Sequence, residues 1–336
     1  MGGTVNFFRK TFVGGRFIPF LGVLGFLLMR TLLFLYAEPF RDPLPPTDSH
    51  LWYPLSGWFT NPLISFLAST SSIFAIAWVL SSMNSRFNLV RTRSHLPFVA
   101  PLFLFSLHPC FLMMNGGYVA ILFILFAFFP LLESYQQPDS YLFSFRSAVL
   151  IGLASLFQVF ALWLLPLWWS GERSMRGGQS RSFIASLFGL SLVYVTLFSV
   201  YYFMDDLAGF ARPFLHFASF STPSLPSFST AEWGVLFLGI LFFVFNIALA
   251  AKIYTRDKVL THVIMRFVVF LVVVMLLLSL IYWEHLRFFL LFAISLVSTL
   301  NAYLYTRTQA KGHIYMAYGW LLLMLLFYGT RFANGF

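Results

Sequence analysis

The stretch from Arg146 to Arg173 constrains the fold of this chain more than any other stretch. Its apolar part, residues 147–170, is about as long as one membrane crossing, which takes roughly 20 residues. Basic residues flank it on both sides: Arg146 before it, and Arg173, Arg176 and Arg181 after it. Short loops rich in Lys and Arg stay on the cytoplasmic side of a membrane. The charges therefore predict a re-entrant helical pair, which turns at half depth near Gln158 and keeps both flanks on one side.

The composition supports a membrane setting for that hairpin. Of the 336 residues, 60% are hydrophobic and only 10% are charged, which is typical of a polytopic helical membrane protein and not of a soluble domain. The net charge of +10 is explained by basic cytoplasmic loops rather than by nucleic-acid binding. A single cysteine, Cys110, excludes disulfides within the chain and a cysteine metal site. We expect one transmembrane domain over residues 1–336.

Apolar stretches predict an all-α bundle of about nine full spans plus the re-entrant pair. The nine spans are 17–36, 60–82, 97–113, 117–132, 182–204, 233–252, 264–283, 286–305 and 313–330. With the N-terminus inside, the inner loops hold 16 of the 21 Lys and Arg residues, which predicts a cytoplasmic N-terminus and a periplasmic C-terminus. An alternative topology stays open, in which 97–132 crosses once as a shallow pair and 147–170 is a full span.

Two outer loops are long enough to build a site. Loop 37–59 is rich in proline and polar residues, and loop 205–232 is the longest. In the second loop, Phe210, Phe214 and Phe217 follow helical spacing, which predicts an amphipathic helix over 207–220 that lies in the membrane interface.

The order of several short motifs resembles the core of the C-type glycosyltransferases, membrane enzymes that use polyprenyl-phosphate-linked sugars. The motifs lie between Asn61 and Ser170: Ser85-Arg86-Phe87 at the end of a span, Leu104-Phe105-Ser106-Leu107-His108-Pro109, the turn Asn115-Gly116-Gly117, and Ile151-Gly152-Leu153-Ala154-Ser155-Leu156 opening the hairpin. The chain also looks like a bacterial family of polytopic inner-membrane proteins that is defined only as a domain of unknown function. It departs from the enzymes in being shorter and in lacking a soluble domain.

The resemblance implies a catalytic aspartate in the first outer loop. Asp48 matches that position and would be the general base that takes a proton from an acceptor hydroxyl, with Asp42 as a second candidate. The family usually pairs this aspartate with a second acid, whereas Asp48 is followed by Ser49 and His50. The alternative role for Asp48 is a solvated loop residue that caps a short helix.

Arg30 is the most informative single charge because it lies inside the first apolar span. Burying Arg at membrane depth costs about 2.5–3.5 kcal/mol or more, so such a residue usually faces a cavity or a partner. A carrier-lipid phosphate is one candidate partner, and the planar guanidinium suits it. The alternatives are snorkelling to the interface, or pairing with Glu38 or Glu284.

Further candidates for binding the substrate phosphate lie at the outer ends of the last spans. They are Glu284, His285 and Arg287 in a short turn, and Arg331 after the last span; interfacial anchoring is the alternative for all four. No two histidines have metal-binding helical spacing, so we expect no histidine metal site. A divalent cation at Asp205 and Asp206 is the one cofactor that the residue types suggest, and no other cofactor is expected.

These patterns leave three functions open. The first is a glycosyltransferase-like protein that handles a polyprenyl-phosphate-linked sugar at the periplasmic face of a bacterial inner membrane, with membrane lipids as its surroundings and no nucleic-acid partner. The second is a catalytically inactive structural subunit of a cell-envelope complex, with an envelope protein as partner. The third is a lipid or solute transporter, for which the spans offer few ionisable residues.

Overall fold

The computed structural model describes residues 7–37, 49–90, 92, 94–137, 141–220, 230–255, 257–307 and 311–333. In these ranges the chain forms α-helices joined by short π-helical and 3₁₀ segments. The α-helices are α1 Ile18–Tyr36, α2 Trp52–Ser56, α3 Pro62–Phe87, α4 Leu96–Phe105, α5 Gly116–Glu133, α6 Tyr141–Phe157, α7 Leu164–Arg176, α8 Ser180–Phe203, α9 Leu207–Ala211, α10 Thr230–Tyr254, α11 Val259–Ile281, α12 Leu286–Arg307 and α13 Lys311–Ala333.

Eight of the described helices are long and apolar enough to cross a membrane: α1, α3, α5, α8, α10, α11, α12 and α13. They correspond to eight of the nine predicted spans. The ninth, 97–113, is not one of these eight helices, because only its first part is helical. Helix α4 ends at Phe105 and irregular backbone follows, because His108 precedes Pro109 and adopts an extended conformation (φ −134°, ψ 135°) that helices do not tolerate.

Helix direction alternates along the chain, so the bundle has two distinct ends. We call one the basic end; it holds the C-terminal turns of α3, α7 and α12. Each of these turns carries an ion pair, namely Arg86 with Glu133, Arg176 with Glu172, and Arg307 with Asp257. We call the other the loop end; it holds the short helices α2 and α9 and the N-terminal turns of α3 and α5.

Helix α12 is the centre of the bundle. In its most apolar stretch 83% of the residues are buried, against 17% in α1 and 6% in α13. It packs against α4, α5, α10 and α11. Its buried hydroxyls donate to carbonyls of its own preceding turn, as Ser295 does to Leu291 at 2.8 Å and Thr306 to Ala302 at 2.6 Å. These bonds satisfy polar groups inside an apolar environment.

The stretch 147–170 forms the predicted hairpin, with α6 and α7 as its two arms. Both flanks lie at the basic end, where Ser144 Oγ donates to Glu172 Oε2 at 2.7 Å. The turn consists of Gln158, which is extended, and a 3₁₀ segment Val159–Trp163. The alternative in which 147–170 is one continuous span is therefore not what the chain adopts.

The hairpin was predicted to turn at half depth, and in the structure its turn lies at the loop end of the bundle instead. Its tip reaches the loop end, where Leu51 N–H donates to the Leu156 carbonyl at 2.9 Å. A Cβ atom at Gly116, the first residue of α5, would lie 2.6 Å from the Phe157 carbonyl oxygen. The 17 residues of α6 extend about 25 Å, close to the full hydrocarbon thickness of about 30 Å. Flanking charges indicate on which side the arms begin, and they contain no information on depth.

The predicted interfacial helix over 207–220 was wrong in two respects. It is broken into α9 and a 3₁₀ segment, Arg212–Ala218, because Pro213 cannot donate the hydrogen bond that would continue the α-helix. Its phenylalanines face protein instead of lipid: the Phe217 ring lies 5.4 Å from Phe160 at the hairpin tip. The second outer loop therefore covers the hairpin.

Candidate functional site at the loop end

Several described segments converge at the loop end of the bundle. They are the first outer loop from Ser49 to Phe59, the start of α5, the hairpin tip, the second outer loop from Asp206 to Phe220, and the turn between α11 and α12. Each comes from a different part of the chain, so the fold alone brings their side chains together. Such a junction of loops on a rigid helical scaffold is the usual place for binding residues.

His50 joins the first outer loop to the second. Its Nε2 lies 3.0 Å from the Phe210 carbonyl oxygen, and only 4% of the residue is exposed. A carbonyl can only accept, so Nε2 carries the proton and Nδ1 carries the lone pair. Nδ1 is buried and has no hydrogen-bond partner among the described residues. Burial lowers the pKa of His50 below its ordinary value, although the bond to Phe210 opposes that shift.

Aromatic rings surround the imidazole of His50. Their centroids lie 5.5 Å (Phe214), 5.8 Å (Tyr201 and Phe210) and 6.4 Å (Tyr194) from that of His50. The Tyr194 hydroxyl is 2.7 Å from Ser155 Oγ on α6, which ties the cage to the hairpin. Sequence reasoning did not select His50, because its partners are 144 or more positions away. The only indication of a functional role in the sequence was that His50 directly follows Asp48 and Ser49.

The catalytic candidates Asp48 and Asp42 lie outside the described residues, as does Glu38. The described part of the first loop begins with Ser49, which is 5% exposed. Asp48 therefore precedes a residue that is already buried within the junction. The role of Asp48 as general base stays a prediction.

Arg287 lies in the first turn of α12 and is half-buried. In the described part of the chain it has no acidic partner. The N-terminus of a helix carries partial positive charge, so a cation there is unfavourable unless an anion balances it. This placement suits a residue that binds an anionic ligand.

His285 lies on the other side of the same turn, against the hairpin tip. Its ring centroid is 4.4 Å from Phe160 and 5.3 Å from His216. Its Nε2 is buried without a hydrogen-bond partner in the described ranges. Glu284, its neighbour in sequence, is exposed. The structure thus places the three predicted residues of this turn in three different environments.

Arg30 is 1% exposed and is held entirely by protein atoms. Nε donates to Thr70 Oγ1 at 3.1 Å, and Nη2 donates to Ser69 Oγ at 2.7 Å. Nη1 and Nη2 donate to the carbonyls of Phe111 and Leu112 at 3.0 and 3.2 Å. Arg30 therefore does not snorkel: two of its partners are hydroxyls of α3, and the other two are carbonyls of the irregular backbone that follows α4. Phosphate binding by Arg30 would require these partners to be exchanged, and it stays a prediction.

The remaining candidates are spread over the loop end. Arg331 lies in the last turn of α13, and its side chain is outside the described residues. Asp205 and Asp206 are exposed, and Asp206 Oδ1 accepts a hydrogen bond from Gly209 N–H at 2.9 Å, capping α9. No three His, Cys, Asp or Glu side chains come together as a metal site in the part of the chain that the structure covers.

These features define a helical bundle with eight described helices suited to a membrane and a junction of loops at one end. No family model, no curated protein and no solved structure matches the chain.

Proposed function

We propose that the chain is a membrane-embedded, glycosyltransferase-like protein that handles a polyprenyl-phosphate-linked sugar at the loop end. The observation that supports this most directly is Arg287, a half-buried cation at a helix N-terminus without an acidic partner in the described ranges. A phosphate of the sugar donor supplies the missing negative charge. Arg suits this role because its planar fork donates two parallel hydrogen bonds to phosphate oxygens.

In the proposed reaction the acceptor hydroxyl attacks the anomeric carbon of the sugar. The bond between that carbon and the phosphate oxygen breaks, the polyprenyl phosphate leaves as an anion, and Asp48 takes the hydroxyl proton. Arg287 stabilises the charge that develops on the departing phosphate. Arg30 acts as a positioning residue, because it fixes the Phe111 carbonyl to which the Tyr118 hydroxyl also donates.

The loop end is proposed to face the periplasm of a bacterial inner membrane. Described cations concentrate at the basic end, where Arg86, Arg176 and Arg307 pair with acids and the termini of other helices add further Lys and Arg. Since basic loops are retained in the cytoplasm, this end would be the cytoplasmic one. The junction of loops, and with it the sugar, would then lie outside.

A transfer assay with matched variants tests the proposal. The full chain would be reconstituted in proteoliposomes with a panel of polyprenyl phosphates carrying radiolabelled sugars and with a panel of water-soluble hydroxyl acceptors, and the transfer of label from the lipid phase to the acceptors would be followed. Asp48→Asn is expected to lower turnover by about 100-fold or more, as for loss of a general base. Arg287→Gln is expected to weaken donor binding by roughly 10- to 100-fold, the range for a lost charge-assisted hydrogen bond.

Arg212→Gln is the control, because Arg212 is an exposed arginine at the same end of the bundle. It removes the same charge and is expected to leave turnover unchanged. If the wild-type chain transfers no label from any donor and binds no polyprenyl phosphate, the enzymatic proposal fails. The second function, a structural subunit of an envelope complex, would then be tested by isolating the native protein in mild detergent and looking for a stoichiometric partner.

A further inference from the structure

A half-open apolar cleft of about 320 Å³ lies between α1, α4, α12, α13 and the segment that precedes α1. Its lining is almost wholly hydrophobic, with Phe12, Phe26, Val99 and Trp320 among the contributors. Leu21 and Leu321 also line it and are 55% and 42% exposed, so the cleft opens towards the surroundings of the bundle. This volume is in the range of small-molecule sites.

The cleft extends from the basic end to the middle of the bundle. Its lining includes Phe8 and Leu96 near the basic end and Met29 at its deepest point along α1. Met29 is eleven residues beyond Ile18, a rise of about 16 Å along the helix. That is close to half of the hydrocarbon thickness of about 30 Å. The cleft therefore has the depth of one membrane leaflet.

One buried polar side chain lines this apolar cleft. Asn301 is 6% exposed and contributes an amide to the lining of the cleft. Burying an amide in an apolar environment costs free energy unless it is hydrogen-bonded. A ligand with a hydrogen-bond acceptor at this depth would offset that cost. Asn301 lies six residues before Arg307, about 9 Å from the basic end of α12.

Exposed cations without acidic partners among the described residues lie close in sequence to residues that line the basic end of the cleft. Lys10 and Arg16 flank the segment that contains Phe12, and Lys311 is the first residue of α13; all three are exposed. The described acids at this end are already paired, Glu133 with Arg86, Glu172 with Arg176 and Asp257 with Arg307. Positive charge is thus available here for an anionic head group.

We infer that this cleft binds one acyl chain of an anionic glycerophospholipid. The lipid phosphate lies at Lys10, Arg16 and Lys311, the chain fills the apolar lining, and an ester carbonyl accepts a hydrogen bond from the Asn301 amide. The depth of Asn301 distinguishes this lipid from a polyprenyl phosphate. Below its phosphate a polyprenyl phosphate has only hydrocarbon, whereas a glycerophospholipid has ester carbonyls there. The inference does not depend on the loop-end site.

Substitution of a glycine in the cleft tests lipid binding, because Gly25 can be replaced by a larger residue without disturbing the fold. Gly25 lines the cleft, and a Cβ atom there would meet nothing within 4 Å. Gly25→Leu therefore fills the cleft without a clash. Gly329→Leu is the matched control: Gly329 is an exposed helical glycine outside the cleft lining, and a Cβ atom there also meets nothing within 4 Å.

The measurement is native mass spectrometry of the delipidated full chain titrated with phosphatidylglycerol. The wild type and Gly329→Leu are expected to retain one lipid, and Gly25→Leu to lose it. Asn301→Leu is expected to raise the dissociation constant roughly 2- to 10-fold, the effect of one hydrogen bond. Replacing Lys10, Arg16 and Lys311 by Gln is expected to abolish the preference for phosphatidylglycerol over phosphatidylcholine.

Three results would overturn the inference. The first is equal phosphatidylglycerol binding by Gly25→Leu and Gly329→Leu. The second is displacement of the lipid by polyprenyl phosphate with the same affinity in the wild type and in Asn301→Leu, which would identify a carrier site. The third is a wild-type dimer that binds no lipid and that Gly25→Leu converts to a monomer, which would identify a second copy of the chain as the occupant.

Discussion

Arg30 Nη1 and the Tyr118 hydroxyl donate to the same acceptor, the Phe111 carbonyl oxygen, at 3.0 and 2.7 Å. The acceptor belongs to the irregular backbone between α4 and α5, whose carbonyls lack helical partners. Inside an apolar bundle such carbonyls must be satisfied by other protein groups. Two helices, α1 and α5, therefore hold this segment through one atom.

This shared acceptor predicts unequal effects for two substitutions. Arg30→Met removes four hydrogen bonds from a charged group, and it is expected to lower the free energy of unfolding by about 2–4 kcal/mol, since a hydrogen bond to a charged group contributes about 1.5–3 kcal/mol and the Phe111 and Leu112 carbonyls keep Tyr118 and Ser69 as donors. Tyr118→Phe leaves Arg30 on the Phe111 carbonyl, so a loss of about 0.5–1.5 kcal/mol is expected. Thermal unfolding in one detergent would compare them. Equal losses would contradict the shared-acceptor arrangement.

The position of Arg287 predicts that its substitution changes stability and ligand binding in opposite directions. In the ligand-free protein Arg287→Gln is expected to raise the free energy of unfolding by about 0.3–1 kcal/mol, because it removes a cation from the N-terminal turn of α12. The same substitution should weaken binding of polyprenyl phosphate. The control Arg212→Gln is expected to change neither quantity. Destabilisation by Arg287→Gln would show that the side chain already has a partner within the protein.

His50 predicts a loss of stability at low pH. Burial lowers its pKa in the folded protein below the value near 6.5 of the unfolded chain, so the unfolded state binds more protons as the pH falls. Its stabilising contribution is therefore complete above about pH 6.5 and decreases as the pH falls below it. His50→Gln retains an N–H donor for Phe210 and should make the unfolding temperature less dependent on pH between 5 and 7. If the unfolding temperature of His50→Gln depended on pH as strongly as that of the wild type, other groups would be responsible for the pH dependence.

The sequence predicted the positions of eight spans because hydrophobic length follows directly from bilayer thickness. It could not predict the partners of Arg30, because they include the carbonyls of Phe111 and Leu112, 81 and 82 positions away, in backbone whose irregularity starts at His108-Pro109. His50 was missed for the same reason, since its hydrogen-bond partner Phe210 is 160 positions distant. Hydropathy and charge report the environment of a segment, and they do not report which segments meet.

The two ends of the hairpin formed by α6 and α7 are expected to be accessible from opposite sides of the membrane. Trp163 at its tip is 39% exposed at the loop end, and Ser174 on α7 is exposed near the basic end. In a background with Cys110→Ser, Trp163→Cys and Ser174→Cys are expected to react with a membrane-impermeant maleimide from opposite sides of the membrane. With the basic end in the cytoplasm, intact spheroplasts would label the first and inverted vesicles the second. A hairpin of half depth would leave Trp163→Cys unlabelled from outside, because its tip would end inside the bundle without reaching the first outer loop at Leu51.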